Sequence, residues 1–460
     1  MAEITAYSGI DMADIAKISG VVKASSGGAY NPVANSGTYT EIVPTTGLIK
    51  RGGQNISSAS GSRNSSNDNT AGFIMGTDQV VNLASDVDGI LNIVEDVLPA
   101  GMGTPSKVIY AKYSAWIIDN AGKLWRIATS VAYGGNSTSG GSNPEQRVWT
   151  QVTGVGDSDT AWTDIAVTNE TAWLGINSGK LYGGGANNYG GIGRGDTTNA
   201  YSSSFFTQIG TDSDWVSVFT GRYNSYAIKT TNNVLYACGR NINGMNGNGT
   251  TSGNQTTWTA VDATNLVGGE NSGFTFLRAA QSNVGAIQSG RAFAWGKATS
   301  SNENMGGNII TTQLIPVQIG TVGGTLQTDW SDVSINDNSS HLINTSGHLY
   351  WAGEGTYYVS MGGNTTDQKS GDHVRVGTDS DWEGLSVLKD YNFMTCSVIK
   401  KGGNLVYVGY ELYGRIGGTT STYVTSPTVV SAGTIASNSV WGMSDNQNGA
   451  PTQFVYFYST

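Results

Sequence analysis

The hexapeptide GTDSDW occurs twice in this chain, at 210–215 and again, letter for letter, at 377–382. Two relatives of it, GDSDTAW at 156–162 and QTDW at 327–330, end on the same residue type, so that Trp162, Trp215, Trp330 and Trp382 form a series. With Phe276 admitted as the substitute in one weak unit, successive anchors stand about 52 to 60 residues apart. Val108 begins the series and Trp441 continues it. A fixed period of this length constrains the fold more than any other feature, because it describes one supersecondary unit stacked repeatedly on copies of itself.

Behind each anchor runs a short alternating segment, a turn, a second segment, a Gly or Asn turn, a third segment and a Gly-rich loop. The third segments and loops also match: LYGGGANNYGGIGRGDTT at 181–198, LYACGRNINGMNGNGTT at 235–251, FAWGKATSSNENMGGN at 293–308, LYWAGEGTYYVSMGGNTT at 349–366 and VYVGYELYGRIGGTT at 406–420. A weaker copy, LWRIATSVAYGGN, lies at 124–136. Alternation with period 2 predicts antiparallel strands with a face on a core. Ser346-Gly347, Ser289-Gly290 and Asn232-Asn233 supply the positive φ of tight hairpins. Such a unit cannot bury both of its faces alone, whereas radial packing of several units does so and leaves only short edges. The predicted fold is all-β, a β-propeller.

Composition agrees. The chain holds 65 glycines, yet 12 Trp and 22 Tyr supply apolar surface in bursts between the Gly-rich turns. With a formal charge of −10 and no basic run, it lacks a patch that neutralises phosphates, so nucleic acid is not an expected partner. No 18-residue apolar run is present, so no membrane insertion is expected. The opening MAEITAYSGIDMADIAKISG places Glu3 and two aspartates ahead of any apolar stretch; it does not read as a secretory signal, and a cytosolic origin is expected. Cys238 and Cys396 read as two buried free thiols rather than as a disulfide.

The pattern W-x-x-V/I, Y/H-x-x-x-I, G-x-L-Y-x-x-G and Y-G-x-I/M-G-x-x-T-T resembles the regulator of chromosome condensation repeat. Five copies match well and a sixth, at 107–136, is degenerate; together they cover roughly 105–425. The resemblance implies seven blades, the last split between the chain ends and closed by a clasp that removes a free sheet edge. SNSVWGMSDNQNGAPTQFVYFYST supplies one side, and AGFIMGTDQ at 71–79 is the candidate closing strand. The family loop YGQLG appears here as YGGIG, NGMNG and YGRIG, and a frequent family histidine is replaced by Tyr223 or Asn224. Nothing matches the wedge by which some members drive nucleotide exchange on small GTPases, so that activity is not implied.

Residues 1–70 do not repeat and read as an N-terminal arm ahead of a propeller at 71–460, whose blades span about 105–460. AYSGIDMADIAKISGVVKASSGG resembles the N-terminal stretch of tailed-phage and marine-virus structural proteins. Tyr7, Ile10, Met12, Ile15 and Ile18 are the candidate partner-binding residues, the four aliphatic ones forming a weak amphipathic pattern. A helical insertion is predicted over about 85–98, with Ser85 as cap and Pro99 and Gly101 as stop signals.

Candidate chemistry is sparse. His341, His348 and His373 show no metal-ligand spacing. The pairs Asp157/Asp159, Asp212/Asp214 and Asp379/Asp381 resemble ion-binding or catalytic carboxylates, but their recurrence at one blade position favours Asx-turns into the Trp strand. Asp86-Val87-Asp88-Gly89 lacks the rest of an EF-hand series. Arg194-Gly195-Asp196 spells an adhesion tripeptide that becomes Asn248-Gly249-Thr250 in the next unit, and Gly190, Gly193 and Gly195 align with Gly244, Gly247 and Gly249 as loop geometry. No catalytic, cofactor-binding or metal residue is expected. The leading functional expectation is a phage virion structural protein of tail fibre, baseplate or capsid, anchored by its arm to other virion proteins in many copies. Its propeller would present a platform to a host glycan or protein. The alternative is a soluble propeller that clamps a protein partner.

Overall fold

The computed structural model describes backbone and side chains over most of 101–385, with the longest breaks at 129–149 and 355–368; elsewhere it describes the backbone of paired strands. Six four-stranded antiparallel meanders follow one another along the chain, numbered here as blades 1 to 6. Their first strands are Pro105–Tyr110, Trp162–Val167, Trp215–Thr220, Phe274–Ala279, Trp330–Ile335 and Trp382–Asp390. Each first strand pairs with the second, the second with the third and the third with the fourth. From blade 2 to blade 6, first strands of successive blades touch, so they are the innermost strands of a radial array.

The register of the first hairpin corrects two anchors. In blades 2, 3 and 5 the opening Trp pairs with the end of the second strand, and a bulge separates it from the residue two positions on. In blade 4 that place belongs to Phe274, opposite Gln288, and not to Phe276, which follows the bulge. In blade 1 it belongs to Pro105, opposite Asp119, while Val108 falls three residues later. An extra residue in the bulge carries no partner, and counting along the sequence misplaces the anchors by two residues in blade 4 and three in blade 1. With Phe274 in place, successive intervals from Trp162 to Trp382 are 53, 59, 56 and 52 residues.

The core lies between blades, not within them. Trp215 packs with Leu181, Ile192 and Ile209 of blade 2, and Trp330 with Ala292, Met305 and Ile319 of blade 4. Trp162 joins Trp116, Leu124 and Val152 of blade 1. The paired residues of the third strand explain the L-Y phrase. Leu181 faces the next blade, whereas Tyr182 turns back edge-on to Trp162, at 5.8 Å between ring centroids. Tyr236 and Tyr350 repeat this against Trp215 and Trp330, at 5.5 and 5.2 Å. Alternation therefore distributes one apolar residue to each neighbouring interface.

A backbone stitch fixes each interface at its rim. The Trp amide donates to the carbonyl of the preceding blade's hairpin glycine: Trp162 to Gly122 at 3.0 Å, Trp215 to Gly179 at 2.9 Å, Trp330 to Gly290 at 2.8 Å and Trp382 to Gly347 at 3.1 Å. These glycines have φ between +71° and +76°. A Cβ on any of them would overlap the carbonyl oxygen of Thr160, Ser213, Thr328 or Ser380, each two residues before the anchor. The T/S-D/A-W phrase and the hairpin glycine thus specify one contact.

Two sequence expectations on the flanks are altered. Asn92–Val97 is a strand paired antiparallel with Leu48–Gly53, and not the second half of a helix over about 85–98; residues 85–91 lie outside the described set. Ile93, Val94 and Val97 are β-branched, and a pairing strand satisfies their backbone where helix propensity is weak. The strand beside Val455–Ser459 is Leu48–Gly53, with Phe73–Met75 further out beside Asn92–Val97. The expected closing segment near 71–79 is therefore not the immediate neighbour of the C-terminal strand. A single edge cannot take both, and the six-residue strand forms the longer ladder.

Gly290→Ala is expected to lower unfolding free energy by about 2 to 4 kcal/mol, since strain at positive φ adds to a steric clash. Gly323→Ala, also at positive φ but facing open space, is expected to cost only about 1 kcal/mol. Urea denaturation of both variants measures the difference, and equal losses would refute the stitch.

Candidate functional site

The first strand of a blade starts at the edge where the connector from the previous blade and the hairpin glycine meet. It ends at the opposite edge, where the turn to the second strand and the Gly-rich loop emerge. These two faces, and the axis between them, are where chemistry would reside.

Along the axis, two carboxylates bridge three blades each. Asp164, two residues after its anchor, accepts from the Lys107 ammonium of blade 1 and from the Val218 amide of blade 3 at 2.8 Å. Asp332 accepts from Arg278 of blade 4 at 2.8 Å and from the Leu385 amide of blade 6 at 3.0 Å. The Arg278 and Asp332 side chains are 8% and 10% exposed, so this pair is held in a medium of low polarity. The signal was present as W-x-D in blades 2 and 5, but a lone aspartate among alternating residues reads as a solvent-facing position. A cavity of about 20 Å³ lies beside Lys107, Val167, Thr220, Leu277 and Arg278. It has room for about one water and for no substrate.

Asp332→Ala removes both acceptors' bonds and leaves the Arg278 charge buried. A loss of about 3 to 5 kcal/mol is expected in thermal or urea unfolding. In a double-mutant cycle, Arg278→Met should cost much less when Asp332 is already absent; strict additivity would contradict the bridge.

The connector face carries the repeated aspartates. Asp157 pairs with Lys180 at 2.9 Å and Asp212 with Lys229 at 2.6 Å, each within one blade, and Asp159 accepts from the Gly154 amide at 2.8 Å. Asp157 and Asp212 therefore serve ion pairs with the third or second strand, a correction to the expected Asx-turns. Asn177 performs the connector-tying role instead, accepting from the Asp157 amide and donating to the Ser158 carbonyl. Among the described residues, no three His, Cys, Asp or Glu side chains converge to hold a metal ion.

The loop face holds the adhesion-like tripeptide. Arg194 Nε donates to Asp196 Oδ1 at 2.9 Å, and its other nitrogen reaches the Thr198 carbonyl. The same carboxylate accepts from the Thr198 amide and the Asn187 side chain. Partial burial raises the Asp196 pKa, but the Thr198 amide and the Arg194 guanidinium outweigh it and hold the group below its ordinary value. Arg194 and Asp196 thus bind each other. The loop is a module: Asn187 accepts from the Ile192 amide just as Asn241 accepts from that of Asn246. Each loop also reaches forward, through Gly195 N to Thr256 O at 2.8 Å and Gly249 N to Leu314 O at 2.9 Å. All six aligned glycines have positive φ, as their alignment required.

Next to this loop, the rings of Tyr189 in blade 2 and Tyr223 in blade 3 meet at 4.5 Å. The Arg240 guanidinium stands 5.2 and 5.1 Å from their centroids. Ile242, two residues on, is 46% exposed. In the sequence Tyr223 stands out only as a departure from the histidine of the resembling repeat; the cluster itself joins three segments and has no local signature.

His341 and His373 are both buried in blade 5, where the His373 Nε2 lies 2.9 Å from the Ser340 hydroxyl. The register sets His341 level with Trp116 and Tyr226 in two sister blades. Burial depresses His341 to about 4 and His373 to about 3, the latter aided by the proximity of His341. Cys238 is a buried free thiol with its pKa pushed up by burial; the Cys396 side chain lies outside the described residues. Of the predicted arm residues, Tyr7 and Ile10 are register partners in a two-residue ladder, while Met12, Ile15 and Ile18, like Asp86–Gly89, lie outside the described residues.

Both buried histidines hold fewer protons when folded than when unfolded. Their contribution is complete above the unfolded pKa near 6.5 and falls as pH drops toward 4. Unfolding temperature should therefore decline from pH 6.5 to 5, above the range of most carboxylates, and His373→Gln should flatten that decline. An unchanged slope would show that the pair ionises freely in the folded state.

This array matches known propellers. Human WBSCR16 superposes with a TM-score of 0.66 at 15% identity, over 90% of this chain and all of that one. The yeast protein Prp20p, described with its binding to Gsp1p and histones, gives 0.64 at 11% identity over 91% of this chain and 92% of its own. A structure of Kap60 bound to yeast RCC1 (Prp20) gives 0.65 at 11% identity, over 95% of this chain and 96% of that one. These neighbours are RCC1-like β-propellers, and at such identities the likeness is one of fold. No family model and no curated protein matches this chain.

Proposed function

We propose that this chain is a non-catalytic propeller of seven blades whose loop face binds a protein partner. The observation that carries the reading is the construction of that face. Its Gly-rich loops are tied by backbone bonds to the next blade, and they display a Tyr/Arg/Ile group of the composition that dominates protein interfaces. Rigid loops lose little entropy on binding. One solved neighbour, yeast Prp20, is described in two structures with protein partners, which supports the same kind of use here. The pairing of Val455–Ser459 with Ser439–Met443 and with Leu48–Gly53 supports a seventh blade closed from both chain ends.

The virion reading rests on the resemblance of the N-terminal stretch alone, through Tyr7, Ile10, Met12, Ile15 and Ile18. The solved neighbours lend it no support, and the soluble protein-binding propeller is preferred.

A photo-reactive residue placed at Ile242 or Thr197 on the loop face, and at Asp212 or Leu326 on the connector face, tests the proposal in producing cells. The loop-face positions should give one discrete cross-linked protein and the connector-face positions none. The same adducts from both faces would rule out a loop-face partner.

A further inference from the structure

Arg240 differs from every other cation whose surroundings have been described above. Lys107, Lys180, Arg194, Lys229 and Arg278 each face a carboxylate. The Arg240 side chain has neither a carboxylate nor a hydrogen-bond acceptor among the described residues, yet it is only half exposed and is held against two aromatic rings. Its backbone is pinned as well: the Arg240 amide donates to the Tyr223 carbonyl at 3.1 Å, and the Asn224 side chain donates to the Arg240 carbonyl. Gly239 comes so close beneath Tyr223 that a Cβ there would overlap the Tyr223 carbonyl oxygen.

This is the arrangement of a receptor that is rigid before its ligand arrives. A guanidinium held over two aromatic rings has lost much of its rotamer freedom and keeps its N–H donors for a ligand. What such a group recognises is a planar oxyanion, bound through two parallel hydrogen bonds. Resting on the reading of the loop face as a protein-binding surface, we infer that Arg240, framed by Tyr189 and Tyr223, receives an Asp or Glu side chain from an acidic segment of the partner, with a neighbouring apolar residue of that segment seated on Ile242.

Charge distribution favours this occupant. Asp157, Asp212, Glu270, Asp329 and Asp379 lie in the connectors, on the opposite face. On the loop face, Asp196 is already neutralised by Arg194. An acidic segment therefore meets there a cation that no carboxylate among the described residues neutralises. The Ile242 side chain supplies the apolar contact that a free anion site would not need.

Fluorescence anisotropy with the full chain tests the inference. The probe is a labelled 12-residue peptide of Asp, Glu and Leu, compared with its Asn/Gln/Leu counterpart, its Lys/Leu counterpart and a phosphoserine peptide without Asp or Glu. The acidic peptide should bind at least tenfold more tightly than the amide and basic peptides, and binding should weaken with salt. Arg240→Gln should reduce affinity about tenfold or more, and Arg240→Lys should restore only part of it, because an ammonium neither stacks nor binds in bidentate fashion. Asp212→Asn, on the far face, should leave affinity unchanged. Because the Arg240 guanidinium has no hydrogen-bond partner among the described residues, its variants should lower the unfolding temperature only slightly. Equal affinity in Arg240→Gln, equal binding of the amide peptide, or preference for the phosphoserine peptide would each overturn the inference. If those results came with a discrete loop-face adduct from the cross-linking experiment, the protein-binding role would stand and only the acidic specificity would fall.

Discussion

Among the described blades the apolar core lies between sheets, and four of the interfaces depend on the tryptophan that opens the next blade, Trp162, Trp215, Trp330 or Trp382. Its ring fills the space against the preceding sheet, its amide bonds to that sheet's hairpin glycine, and its own blade's tyrosine closes over it edge-on. The ring contributes burial, worth about 25 cal/mol per Å² of apolar surface, while the amide fixes the angle at which the sheets meet. Repetition of this contact makes the array quasi-one-dimensional. A change at one anchor should be felt mainly by its two neighbours.

Onto that common contact the chain adds devices that do not repeat in every blade. The Asp164 and Asp332 bridges tie blades 1 to 3 and 4 to 6 near the axis, each joining a cation behind to a backbone amide ahead. Their burial makes them costly to break and of modest net worth when whole. Beyond them lie the connector and loop faces. There the connector face carries ion pairs internal to its blades, whereas on the loop face no carboxylate among the described residues meets Arg240.

Much of this architecture was legible because it is written several times over. The six glycines of two aligned loops, the L-Y phrase and the T/S-D/A-W phrase each recur, so their geometry followed from comparison within one chain. The same comparison dissolved the Arg194-Gly195-Asp196 motif before its internal ion pair was seen. Errors arose where repetition failed. Blade 4 replaces the anchor by Phe274 and its connector by a 3₁₀ turn at Val267–Gly269, and the bulge shifts the count. At 92–97 a local helix signal lost to strand pairing with residues 39 to 49 positions away. The ion pairs of Asp157 and Asp212 were not legible either, because they depend on where a hairpin folds back.

The sequence by itself determined the unit, its period, its strand order and the positions that must be glycine, because these are local preferences reinforced by copying. Only the tertiary structure decided which residues meet between units. Tyr189, Tyr223 and Arg240 come from two blades and three segments, and Asp332 finds its partners 54 residues before and 53 after. Such meetings depend on the angle between sheets, which is set by the summed packing of whole interfaces and not by any single stretch of chain.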